Sequence, residues 1–206
     1  QKQLLNNKYK FKRGIIMNLS ITTDFAKDTG DPSPYLKSIA ETGFTHVHWC
    51  HHWNTDFMYS IYEVNQIAKW LSEYGLKLLD LHGSVGPEKN WFSEKEYERL
   101  AGVELVKNRL DMTARLGGDA VVMHIPAGPI SDSLKRSLDE LEPVSKSCGV
   151  EIAVENGCFI SINSVFAQYD SSFVGLCYDC GHGNHDPEGL DKMSAIKDRL
   201  IAIHLH

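Results

Sequence analysis

The sequence predicts an α/β fold, a (β/α)8 TIM barrel whose sequence ends at the seventh strand. Three observations predict it. Short strand-like runs alternate in order with longer helix-like ones, the strand runs are mostly apolar, and nearly every one closes on a His or a carboxylate. Alternation with apolar strands argues for a parallel sheet covered by helices. An open doubly wound sheet alternates too, so the third observation decides: barrels draw a site from many strand ends.

Met17 to Phe25 reads as the first strand and Pro34 to Thr42 as the first helix. Thr45 to Cys50 is the second strand, and Asp56 to Tyr74 carries helical periodicity up to Gly75. Lys77 to His82 is the third strand. The helix after it, Ser93 to Leu116, is given a capping box of Ser93 and Glu96 and a Gly117-Gly118 stop. Asp119 to His124, Val150 to Glu155, Phe173 to Asp179 and Leu200 to His206 complete the strands. Ser131 to Cys148, Ile160 to Tyr169 and Leu190 to Asp198 are the helices between them. A full barrel takes ~250 residues, so an eighth strand and its loop are expected beyond the 206 residues given. Residues 1–16 are read as an N-terminal leader or extension, and residues 17–206 as one C-terminally incomplete barrel domain.

The formal charge of −6, with no Lys/Arg stripe to offset it, argues against nucleic acid as partner. No apolar run approaches the ~18 residues of a membrane span, and Ile15 to Met17 is too short for a signal-peptide core. The five cysteines, Cys50, Cys148, Cys158, Cys177 and Cys180, show no disulfide-framework spacing, which suits a reducing cytoplasm. Cys177 and Cys180 form a C-x-x-C, but no second pair accompanies it, and Asp179 between them has a better role facing inward.

The strand ends carry the chemistry. Strand two offers His48, Cys50, His51 and His52; strand three, His82; strand four, His124; strand five, Glu155; strand six, Asp179 and then His182; strand seven, His204 and His206. Alternation puts Ala153 with Glu155, and Ala202 with His204 and His206, on inward faces. Converging carboxylates repel unless a cation sits between them. Oxygen mixed with imidazole suits Zn²⁺, Mn²⁺, Fe²⁺ or Co²⁺ rather than Ca²⁺.

From about Met17 to His206 the chain resembles the xylose-isomerase-like barrels, which include sugar (phosphate) isomerases and epimerases and the type IV AP endonucleases. The resemblance is carried by the strand-three His-Gly, the strand-four His, Ala-Val-Glu-Asn, Asp179-Cys180-Gly181-His182 and the closing His-Leu-His. It implies Glu155 and Asp179 as metal ligands, with His204 as the third and His206 as the alternative. The family's fourth ligand, a strand-eight Glu, falls beyond this sequence. In the endonuclease branch His82 and His124 match the holders of a second metal, and His182 matches a ligand of a third. In the sugar-active branch the same positions contact substrate.

The resemblance therefore implies a divalent-metal-dependent isomerase or epimerase of a sugar, a sugar phosphate or a related keto-polyol, working by proton transfer through an enediolate. Glu155 is the expected acid/base group, and His182 steadies the developing oxyanion. His52, His82, His124, His182 and Trp49 are the expected substrate contacts; Trp49, Trp53 and Trp91 offer either an apolar wall or packing over the rim. His46 and His185 are read as ordinary. The metal is Mn, Zn, Co, Fe or Mg, and a homo-oligomer is kept as a possible state. The alternatives are an AP endonuclease with two or three Zn ions, a lyase or dehydratase sharing the first proton abstraction, and a non-catalytic barrel.

Overall fold

A computed structural model of the chain describes residues 18–24, 30–50 and 58–205. The elements run β1 (Ser20–Thr22), α1 (Ser33–Glu41), β2 (His46–Trp49), α2 (Ile61–Tyr74), β3 (Lys77–His82), α3 (Glu96–Leu116) and β4 (Ala120–Met123). They continue with α4 (Asp132–Cys148), β5 (Glu151–Glu155), α5 (Phe159–Phe166), β6 (Val174–Asp179), α6 (Cys180–Asn184), α7 (Gly189–Ala195) and β7 (Leu200–His204), the last preceded by a 3₁₀ turn at Lys197–Arg199. Seven strands form one sheet in sequence order, every adjacent pair parallel. That is the curled sheet of a TIM barrel as far as its seventh strand, with β1 and β7 at its two ends.

Strand alternation sorts the interior into two layers. Outward-facing Val47, Leu81, Val121, Met123, Ile152, Val154, Val174 and Leu176 pack with the helices in the main core. Inward-facing Ala120, Val122, Ala153 and Cys177 form a separate small-residue cluster, with Ala202 against it. Small side chains there leave room on the barrel axis, and the His and carboxylate residues follow them one step further along the same faces.

The boundaries differ from the sequence expectation in several places. The second helix starts at Ile61 rather than Asp56, capped by Ser60, whose side chain accepts from the Glu63 N–H while Glu63 reaches back to the Ser60 N–H. The expected box at Ser93 and Glu96 does not form. The third helix begins at Glu96, Ser93 turns its hydroxyl to Glu98, and Glu96 is drawn away by Arg99 and Arg136. The expected helix from Leu190 to Asp198 is found as α7 (Gly189–Ala195) followed by the 3₁₀ turn at Lys197–Arg199. A further short helix, α6 (Cys180–Asn184), precedes it, separated from it by Pro187, which disfavours helical backbone at Asp186. The expected first strand is reduced to Ser20–Thr22, with Met17 and Phe25 outside the described residues. The expected leader, residues 1–16, also lies outside them. Among the described residues no helix is long and apolar enough to cross a membrane. All five cysteines are free.

Candidate active site at the strand ends

The strand ends converge on Glu155. It closes β5, is 4% exposed, and meets an imidazole from each of several neighbouring strands. Its Oε1 accepts from His204 Nδ1 at 3.0 Å, and its Oε2 accepts from His82 Nε2 at 3.3 Å and faces His124 Nε2 at 3.1 Å. Burial works against ionisation of this carboxyl. The hydrogen bonds from His204 and His82 and the nearby charge of His124 outweigh it and hold the group well below the usual carboxylate range.

The imidazoles respond in different directions. His82 loses solvent, which disfavours its charged form, yet Glu155 on one side and the Gly83 carbonyl on the other (Nδ1 to O, 2.9 Å) raise its pKa above the ordinary value. Both acceptors take a proton, so the surroundings of His82 suit an imidazolium. For His124 burial dominates and lowers the pKa, with Glu155 opposing. The His-Gly pair has a steric reason as well. The Gly83 N–H donates to the Val122 carbonyl at 2.7 Å, and a Cβ on Gly83 would lie 1.9 Å from Met123 Sδ. A side chain at position 83 would require the Met123 side chain to move, so glycine suits the close exit of the chain from β3 beside β4.

Asp179 closes β6 and is fully buried. Its Oδ1 accepts from the His182 backbone N–H at 2.6 Å and so caps α6. Its Oδ2 lies 3.9 Å from His204 Nδ1. Asn156, 1% exposed, binds β5 to this point: its Nδ2 donates to the Asp179 carbonyl at 3.1 Å, and its Oδ1 accepts from the Asp179 N–H. The Asn156 carbonyl accepts from His182 Nδ1 at 3.1 Å, which fixes that ring 3.8 Å from Glu155 Oε1.

Glu155, His204, His82, His124 and His182 line a cavity of about 880 Å³, and Asp179 is buried 3.9 Å from His204 Nδ1. Two expected residues, His52 and His206, lie outside the described residues. Trp49 is placed elsewhere: it faces outward from β2, is 1% exposed in the core, and its indole N–H donates to Tyr59 Oη at 3.2 Å. Trp91 is also fully buried in that core. Neither contributes a wall to the cavity, because strand parity turns Trp49 toward the helices.

The site also contains a pair that sequence reasoning passed over. His48 on β2 and Asp80 on β3 are opposite one another in the sheet, both 7% exposed, with His48 Nδ1 2.7 Å from Asp80 Oδ1. The His48 ring meets the His204 ring edge-on, with centroids 4.7 Å apart. The signal was available: Asp80 shares the parity of His82, two residues on.

Potential ligand atoms lie within 4.8 Å of one another in several sets, including Glu155–Asp179–His182, His82–His124–Glu155 and His48–Asp80–His204. Buried carboxylate oxygens beside imidazole nitrogens form a donor set that fits a divalent transition ion or Mg²⁺. His204 Nδ1 lies 3.0 Å from Glu155 Oε1 and 3.9 Å from Asp179 Oδ2, while the expected set Glu155–Asp179–His204 is not itself one of the groups whose ligand atoms all fall within 4.8 Å of one another.

Comparison with known proteins agrees with this architecture. The chain is 31% identical over 210 aligned positions to the protein y4fM of Sinorhizobium fredii, covering 83% of this chain and 67% of that one. The 3-keto-D-glucoside 4-epimerase YcjR of E. coli superposes with a TM-score of 0.73 at 18% identity, over 92% of this chain and 78% of that one. The D-allulose 3-epimerase of Methylomonas sp., solved with D-allulose, gives 0.69 at 18% identity, over 91% and 72%. At those identities the two structures establish the fold alone. Residues 36–206 match the family model of the xylose isomerase-like TIM barrels, and the chain belongs to that family.

Proposed function

We propose that this protein is a divalent-metal-dependent isomerase or epimerase of a sugar or sugar phosphate. The observation that carries the reading is the convergence of Glu155, Asp179 and His204 at the ends of three consecutive strands, under a ring of further imidazoles. The likeness of the fold to sugar epimerases supports the substrate class.

Glu155, Asp179 and His204 would hold the ion, which supplies Lewis-acid polarisation of a carbonyl and its neighbouring hydroxyl. Glu155 takes the proton from the carbon beside that carbonyl. Its depressed pKa keeps it ionised and ready to accept, but makes it a weak base, so the substrate C–H has to be acidified by carbonyl polarisation. His182, fixed by the Asn156 carbonyl, and His82, surrounded by acceptors, are placed to steady negative charge on substrate oxygens. The acid/base group for the opposite face is assigned by the family resemblance to a glutamate outside this sequence.

The test is proton exchange. Ketohexoses such as D-fructose and D-allulose are incubated with the protein and Mn²⁺ in D₂O, and the sugars are separated and analysed for deuterium. Deuterium beside the carbonyl together with the epimer, both reduced about 10²–10⁴-fold by Glu155→Gln, is the expected result. The grouping of His82, His124 and Glu155 within 4.8 Å of one another favours a second reading, an AP endonuclease. Incision of an abasic duplex with no exchange on any sugar would replace the first reading with that one.

A further inference from the structure

The His48–Asp80 pair sits beside His204, whose Nδ1 is turned to Glu155. Both members are buried, and their strands hold them in register. Because a carboxylate only accepts, His48 Nδ1 is the donor to Asp80, and the acceptor nitrogen of a neutral His48 is Nε2. One ring nitrogen of each imidazole and an Asp80 oxygen lie within 4.8 Å of one another.

His204 itself poses a proton problem. Its Nδ1 donates to Glu155 Oε1 at 3.0 Å, while its Nε2 is buried with no hydrogen-bond partner among the described residues. A ring that gives its Nδ1 lone pair to a cation has to carry its proton on Nε2. One proton leaves Nδ1, one is taken up at Nε2 from solvent, and the ring stays neutral. The new N–H is then buried and needs an acceptor. Metal-bound histidines routinely meet this need with a carboxylate or carbonyl behind the ring, which fixes the tautomer and the ring plane.

We propose that the Asp80–His48 pair is the positioning device for His204, receiving its Nε2–H and holding Nδ1 toward the Glu155 and Asp179 carboxylates. The two rings are already in edge contact, with centroids 4.7 Å apart. Asp80 acts through His48 and touches neither ion nor substrate. The inference rests on the reading of His204 as a metal ligand.

The test is Zn²⁺ binding to the full chain, measured by competition with a chromophoric chelator, with the ring nitrogens of isotope-labelled histidine followed by NMR. The wild-type protein is expected to bind Zn²⁺ with His204 protonated at Nε2. Asp80→Asn, which preserves volume, and His48→Phe, which preserves the ring, are each expected to weaken Zn²⁺ binding about 10- to 100-fold and to broaden or shift the His204 ring signals. Zinc affinity and His204 signals unchanged in Asp80→Asn overturn the proposal. So does Zn²⁺-loaded wild type with His204 protonated at Nδ1, a result that needs no variant to fold. Wild type that binds no Zn²⁺ overturns the metal reading itself, and that failure is recognisable because it precedes any comparison of variants.

Discussion

Truncating Asn156 to alanine should destabilise the whole barrel, because the side chain satisfies two backbone groups of Asp179 at once. Both residues are buried, at 1% and 0% exposure, so water does not replace what is lost. The Asp179 carbonyl also accepts the first bond of α6, so the Asp179 N–H is the group that loses its partner, and an unsatisfied buried polar group costs about 1–3 kcal/mol. For a domain of this size that is a fall of about 2–12 °C in Tm. Thermal unfolding followed by circular dichroism, with and without Mn²⁺, measures it. The Mn²⁺-induced increase in Tm should shrink in the variant, since Asp179 loses the clamp that fixes its backbone. A destabilisation under about 1 kcal/mol would refute the reasoning, for it would mean that Asp179 finds other partners at little cost.

Three further outcomes follow from the geometry. Gly102→Ala should unfold or strongly destabilise the protein, since the added Cβ would lie 2.1 Å from the Trp91 backbone nitrogen; a chemical-denaturation curve within about 1 kcal/mol of wild type would contradict the packing of α3 on that loop. Cys158, half-exposed at the start of α5, has its thiol lowered to about 7, first by the Ser161 side chain and then by backbone groups at Gly128, Ser161 and Ile160. Its alkylation by iodoacetamide should therefore rise through pH 7, whereas Cys50, pushed up to about 12 by burial, and Cys177, pushed higher still by the same cause, should stay unmodified in peptide maps. In metal-free protein the folded-state pKa of His82 lies above its ordinary 6.5, burial being outweighed by Glu155 and the Gly83 carbonyl. Its stabilising contribution is thus complete below about pH 6.5 and disappears as pH rises through the raised value. The penalty for His82→Phe in urea denaturation should accordingly be larger at acidic than at alkaline pH.

The fold was legible because period-two alternation is a direct physical consequence of a strand inside a barrel. Ala153 before Glu155 and Ala202 before His204 gave the inward face, and both alanines do sit in or against the inner small-residue cluster. The strand ends were legible for the same reason. Less legible was anything that depends on competition between partners. Ser93 and Glu96 have capping-box spacing, but Arg99 and Arg136 offer Glu96 stronger charged partners, while the box that does form, at Ser60 and Glu63, starts a helix whose periodicity had been extended back to Asp56. Trp49 follows a cavity-lining His, and only the direction of its own side chain shows that it belongs to the outer core. His48 stands among the strand-two residues read from the sequence, but Asp80 was missed because attention to strand termini overlooks polar residues one step inside. The sequence does not reveal their pairing until β2 and β3 are in register.

The cap that Asp179 provides for α6 has a consequence for ion choice. With Oδ1 committed to the His182 N–H at 2.6 Å, the carboxylate is not able to swing between gripping an ion with one oxygen and with two. The number of donors the site can offer is then set by the turn that follows β6 rather than by the ion. A large, oxygen-hungry cation such as Ca²⁺, which takes 6–8 oxygen ligands, would have to break the first turn of α6 to be satisfied. A smaller ion content with fewer, fixed donors binds without disturbing it. On the proposed metal reading, selectivity against calcium would rest on the hydrogen bond that the Asp179 carboxylate accepts from the His182 backbone.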